Sequence, residues 1–125
     1  MVNKVVVYEA LKRIETPESD SRLSSFIKTS GQDSLISLLI HDVFGGEILK
    51  THKNKSWHFY NMIDGERVDF TKTGKPVEKN GFEDIPSNPD DIFFDQADYS
   101  TFFMRFVRAF EESVGLDKYR TGLTA

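Results

Sequence analysis

"SGQDSLISLLIHDVFGGEIL", residues 30–49, decides the fold. On a helical wheel Leu35, Ile36, Leu39, Ile40, Val43 and Phe44 cover more than half the circumference, with Leu38 beside them. Ser34, Ser37 and His41 fall in one narrow polar stripe. A helix with so little polar surface is buried on most sides, and Gly45-Gly46 supplies the left-handed residue that stops it. The opening of the helix is the unusual part. Ser30 can cap it while Asp33, three residues on, reaches back as in a capping box, or Asp33 can itself be the cap. The helix dipole favours a carboxylate there by about 0.3–1 kcal/mol. A buried helix start can also aim backbone N–H groups and a side chain at one point, which would make Asp33 and Ser34 part of a site.

Downstream, "EILKTHK" reads as a strand, and "SWHFYNMIDGERVDFT" as a hairpin turning at Asp64-Gly65. With those two residues as the loop, Ile63 faces Glu66, Met62 faces Arg67, Asn61 faces Val68, Tyr60 faces Asp69 and Phe59 faces Phe70. His58, Tyr60 and Asp69 then share one side of the sheet, and His58 and Asp69 become diagonal neighbours across the strands.

Upstream, Val7, Ala10, Leu11 and Ile14 predict a helix from about Val6 to Ile14, broken by "TPESDS". "SRLSSFIKTS" predicts a short helix carrying Leu23, Phe26 and Ile27. After the hairpin, the polar stretch "TKTGKPVEKNGFEDIPSNPDD" reads as a long surface excursion, and "DIFFDQ" as a short strand or turn packing Phe93 and Phe94. Ser100 or Asp98 caps a final amphipathic helix with Phe103, Phe106, Val107 and Phe110 on one face and Gly115 at its end, followed by fraying residues. The expectation is one α+β domain over residues 1–125, with a central buried helix on a small antiparallel sheet.

Composition narrows the function. The 125 residues suffice for one core, and eleven Phe make it ring-rich. A net charge of −4 offers no long-range attraction for nucleic acid or an anionic membrane surface, so neither partner is expected. The N-terminal stretch lacks the features of a secretory signal, no run reaches membrane-spanning length, and the absence of Cys suits the cytoplasm. Zero Cys also removes disulfides, thiolate ligands and cysteine nucleophiles.

His58 with Asp69 is the pair that spacing alone singles out. A carboxylate beside an imidazole fixes its tautomer and stabilises its charged form, as a general base or a metal-binding histidine requires; a structural hydrogen bond is the simpler alternative. His41, on the polar stripe, and His52, in "KTHKNK", read as satisfied or solvated. Asp90, Asp91 and Asp95 lack the spacing of a calcium loop, and there is no phosphate-binding glycine loop.

Together "GQDSLISLLIHDVFGGEILK", "WHFYNMIDGERVDFT" and a C-terminal helix resemble the small bacterial YunG-like proteins, an uncharacterised family, most closely over about residues 30–72. In that family the first stretch reads Gly-Gln-Cys before an apolar helix and the second carries a histidine, Asp-Gly and an aspartate. The resemblance implies a papain-like or transglutaminase-like core, in which a cysteine at the start of a central helix meets a histidine and an aspartate on adjacent strands. Carried over, the histidine falls on His58, the aspartate on Asp69 and the cysteine on Asp33. This chain therefore departs from the family at the nucleophile, and thiol-type acyl transfer should be lost.

The expectation is a pseudoenzyme-like binding or interaction protein that retains the pocket, with Gln32, Ser34, Tyr60 and Asn61 as binding residues beside Asp33, His58 and Asp69. The alternative is a hydrolase or metal-dependent enzyme using Asp33, His58 and Asp69 themselves. A third reading uses the aromatic C-terminal helix, rich in Phe102, Phe103, Phe106 and Phe110, as the interface of a regulatory or immunity-type protein. No cofactor or resident metal is expected. The partner is an unknown protein or small molecule, and the chain is a monomer or homodimer.

Overall fold

The computed structural model describes residues 2–14 and 31–120. Among these residues, two helices, a four-stranded antiparallel sheet, a 3₁₀ turn and a last helix follow one another: α1 (Lys4–Ile14), α2 (Gln32–Phe44), β1 (Glu47–Lys53), β2 (Ser56–Ile63), β3 (Glu66–Val68), β4 (Ile85–Ser87), a 3₁₀ turn (Pro89–Asp91) and α3 (Gln96–Arg120). The sheet order is β3-β2-β1-β4. The α+β expectation therefore holds; the helix expected from "SRLSSFIKTS" and the C-terminal fraying lie outside the described residues.

The apolar wrap of α2 has the consequence its sequence dictates. Every residue from Leu35 to Ile40 is buried, and the helix packs on β2 while α1 packs on α3. Leu11, Leu35, Leu39, Ile63, Phe70, Phe102 and Phe106 form one continuous core between these layers, each worth about 1.5–3 kcal/mol of transfer free energy when fully buried. Gly46 is required at the exit of α2. Its φ is +80°, and a Cβ there would lie 2.6 Å from the Met62 carbonyl oxygen. At the other end of α2 the cap is Gly31 (φ 94°), with no side-chain cap hydrogen bond. Asp33 is thus not the cap, and the expected capping box with Ser30 lies outside the described residues.

Two type I′ turns build the sheet. Asp64 (φ 53°) and Gly65 (φ 75°) join β2 to β3, and the pairs Ile63–Glu66, Met62–Arg67 and Asn61–Val68 are those expected from sequence. Asn54 (φ 48°) and Lys55 (φ 67°) make a second such turn between β1 and β2, pairing Thr51 with His58 and His52 with Trp57. The N-terminus is tied to the first turn: Lys4 Nζ lies 2.9 Å from Glu66 Oε1, and Val2 N–H donates to Asp64 Oδ2 at 3.0 Å.

Three expectations are corrected. The polar excursion is partly ordered as β4, which adds to the free edge of β1 through Ile48–Ser87, Leu49–Pro86 and Lys50–Ile85. Phe93 is 87% exposed; only Phe94 packs, with its ring 4.7 Å from Tyr99. Helix α3 does not end at Gly115 but continues to Arg120, and its buried stripe is Tyr99, Phe102, Phe106, Ala109 and Ser113, with Phe103, Val107 and Phe110 on its flank. A glycine on an exposed helix surface costs only about 1 kcal/mol, which packing upstream absorbs. The aromatic surplus on this helix is therefore largely core, and among its described side chains the apolar one left outermost is Met104 at 71% exposure.

Candidate functional site

The site arises where β3 ends too early. Alternate residues of an antiparallel strand direct their backbone groups to the same neighbour, so Phe59, in phase with Asn61 and Ile63, turns its N–H toward the β3 side. Beyond Val68 no β3 residue pairs with β2. The N-terminus of α2 fills the gap, and Asp33 Oδ2 accepts the Phe59 N–H at 2.8 Å. The chain after β3 turns back at once, with Lys72 and Thr73 N–H both donating to the Asp69 carbonyl.

His58 lies between the two segments. Its Nε2–H donates to Asp69 Oδ2 at 2.8 Å, and its Nδ1 is 3.3 Å from Asp33 Oδ2. Asp69 is 2% exposed and fully employed, because its Oδ1 also accepts the Thr71 hydroxyl at 2.6 Å and the Thr71 N–H at 3.2 Å. The diagonal relation of His58 and Asp69 expected from the hairpin register is thus a direct contact, and Asp33 joins it from the helix.

The electrostatics follow from this clasp. The Asp33 hydrogen bond and then that of Asp69 raise the His58 pKa to about 9, against the opposing pull of burial, so both ring nitrogens carry protons at neutral pH. Burial pushes the Asp33 carboxyl up, but His58 and the Phe59 and Ser34 N–H groups together hold it below the usual carboxylate range. Asp69 is likewise pushed up by burial and held down on balance by His58 and Thr71. The arrangement is an imidazolium between two carboxylates.

A polar depression of about 330 Å³ opens beside this triad, lined by Gln32, Asp33, Lys53, Ser56, Trp57, His58, Thr71 and Lys72. Of the expected binding residues, Gln32 lines it. Ser34 donates its hydroxyl to the Gly31 carbonyl at 3.1 Å, inside the first turn of α2. Tyr60 and Asn61 are buried away from it. Tyr60 Oη donates to Asp84 Oδ1 and accepts the Asp84 N–H, while Asn61 Nδ2 donates to the Ser37 carbonyl at 3.0 Å. Lys53, Ser56, Trp57, Thr71 and Lys72 are lining residues that the sequence did not single out. The Asn54-Lys55 turn brings the first three alongside His58, and its one sequence cue is Asn54, a residue type that tolerates positive φ.

Asp33 and Asp69 meet opposite nitrogens of one ring, so their oxygens do not converge on a common point. Among the described residues no group of three His, Asp or Glu is arranged to hold a metal ion. His41 and His52 play other parts: His41 Nδ1 lies 3.0 Å from the Gly46 carbonyl, and His52 stacks on Trp57 at 4.0 Å beside Glu83. No described helix is long and apolar enough to cross a membrane.

Comparisons with known proteins reach the level of family. No solved structure matches the chain. The uncharacterized protein YunG of Bacillus subtilis (strain 168) is 38% identical over 87 residues, which span 68% of this chain and 73% of that protein. The family model of the YunG protein matches residues 5–110, from the second residue of α1 to the middle of α3 and including the whole sheet. The chain belongs to the YunG family.

Proposed function

We propose that this chain is a non-catalytic, pseudoenzyme-like member of a cysteine-hydrolase-like fold with a papain-like or transglutaminase-like core, acting as a binding or interaction protein. The observation that carries this reading is the double clasp of His58. In a cysteine, histidine and aspartate site the imidazole takes a proton from the thiol through one nitrogen while the aspartate orients it through the other. Here Asp69 bonds Nε2, as an orienting aspartate would, and the nitrogen that would face the thiol meets the Asp33 carboxylate. A carboxylate offers no proton to remove, and an imidazole with its pKa near 9 is already protonated at neutral pH and takes up none. The helix start, the histidine and the aspartate are kept; the nucleophile and the base function are absent.

A metal-dependent version of the site is disfavoured by the same geometry, since both ring nitrogens of His58 are occupied and the carboxylates lie on opposite sides of the ring. The reading is tested by Asp33→Cys. A thiol at this helix N-terminus, facing His58, is expected to form a thiolate at a pH well below the ordinary ~8.5 and to react with iodoacetamide at pH 6 faster than free cysteine. Ordinary thiol reactivity in a folded variant would overturn the inherited-site reading. Hydrolysis of amide or ester substrates by the unmodified chain would overturn its non-catalytic part.

A further inference from the structure

The depression beside His58 borders an unfinished sheet edge. The Asn54-Lys55 turn makes Lys53 and Ser56 a hydrogen-bonded pair, so Ser56, His58 and Tyr60 direct their backbone groups to β1. Trp57 is out of phase with them, and its N–H and C=O point the other way, into the depression. Two residues further, the N–H of Phe59 is taken by Asp33. Among the described residues β3 and β4 leave Trp57 unpaired on this side, so it presents an antiparallel grip of one donor and one acceptor.

The surroundings of this grip are charged and stiff. Lys53 and Lys72 line the depression, and neither has a carboxylate partner among the described residues. The charges of Asp33 and Asp69 are directed at His58, so the two lysines leave the open rim positive. The Trp57 ring is fixed from the other face of the hairpin, stacked on His52 at 4.0 Å with Lys50 Nζ 4.5 Å above it.

We propose that the depression docks an extended acidic peptide segment, which pairs its main chain with the N–H and C=O of Trp57 and sets carboxylate side chains against Lys53 and Lys72. This rests on reading the site as one that binds without reacting. Main-chain pairing supplies the grip, and flanking side chains supply the selection, as in other cases of strand addition. A small anion satisfies only the lysines and leaves Trp57 unpaired; a lysine-bearing peptide satisfies the edge and is repelled by the rim.

Trp57 is the chain's single tryptophan and so reports directly on its own edge. The experiment titrates the full chain with the blocked peptide acetyl-Thr-Glu-Val-Glu-Thr-amide while following tryptophan fluorescence, and analyses the peptide afterwards by mass spectrometry. Saturable binding is expected, weakened about tenfold by the double variant Lys53→Ala/Lys72→Ala and severalfold by 0.3 M salt. A version N-methylated at its three central residues should bind about fivefold or more weakly, having lost its donors to the edge. The inference is overturned by the absence of saturation, by equal binding of the peptide with Lys in place of Glu, by indifference to N-methylation, or by glutarate binding as well as the peptide. Recovery of the bound peptide intact supports both readings. Its cleavage would keep the docking surface and overturn the non-catalytic one.

Discussion

Strand β2 carries two ion clusters one step apart on the same face, and they differ in what closes them. At Tyr60 the phenol, Asp84 and Arg67 bond one another in one network. Arg67 Nε donates to Asp84 Oδ1 at 2.7 Å, a second guanidinium nitrogen pairs with Asp84 Oδ2, and the Phe82 ring meets that of Tyr60 edge-on at 4.8 Å. Burial, followed by Asp84, pushes the Tyr60 hydroxyl up to about 12. At His58 the cation is an imidazolium, the carboxylates come from a helix start and a strand end, and the cluster opens onto the depression. The first cluster fastens the 72–84 segment to the sheet through a cation that never titrates. The second uses the one cation type that can lose its charge at moderate pH. The same ion-pair chemistry thus serves closure at one position and exposure of a site at the next.

The largest expected difference is in stability. His58→Ala strands the carboxylate of Asp69, which is 2% exposed, and should cost roughly 2–4 kcal/mol in urea unfolding. Arg67→Ala leaves the more exposed Asp84 and should cost roughly 1–3 kcal/mol. A larger loss for Arg67→Ala would reverse the ranking of the two clusters. The pH dependence separates them further. Because the His58 pKa is raised from 6.5 to about 9, its contribution is fully present below about pH 6.5 and is lost as pH rises through 9. Asp33 and Asp69 are shifted the other way, so their contribution is present above the ordinary 3.8 and is lost as pH falls through their lowered values. Unfolding free energy followed from pH 6 to 10 should show the alkaline loss in the unmodified chain and in Arg67→Ala, and not in His58→Ala.

Much of this site is legible in the sequence. The Asp64-Gly65 turn demands positive φ at both central residues, which fixes the register and so places His58 against Asp69. The role of Asp33 was not legible in the same way. Its bond to Phe59 depends on where β3 stops, a tertiary fact, and local capping chemistry gave an equally good account of an acidic residue there. The Asn54-Lys55 turn was missed because lysine carries no sequence signal for the left-handed conformation it adopts at φ 67°. Without that turn, Trp57 and Lys53 had no reason to join the site. Phe93 and Gly115 failed for a shared reason: an exposed phenylalanine and a helical glycine are tolerated where neighbouring residues already supply the packing.

Smaller effects sharpen the comparison. Asp33→Asn keeps an acceptor for the Phe59 N–H and removes the charge, so it should cost about 1 kcal/mol and lower the His58 pKa toward its ordinary value. Tyr60→Phe should cost about 1 kcal/mol through Asp84 and leave the His58 titration unmoved. Coupling between Tyr60 and His58, whose rings lie 6.3 Å apart, would show that the two clusters act as one.

The account rests on His58 as an imidazolium held between Asp33 and Asp69, and an NMR titration of its ring nitrogens tests that most directly. Two protonated nitrogens at pH 7.5, with a midpoint near 9, are the predicted result. A single protonated nitrogen at pH 7.5, with a midpoint near 6.5, would mean that the histidine is free to act as a base and would contradict the proposal of a site that binds without reacting.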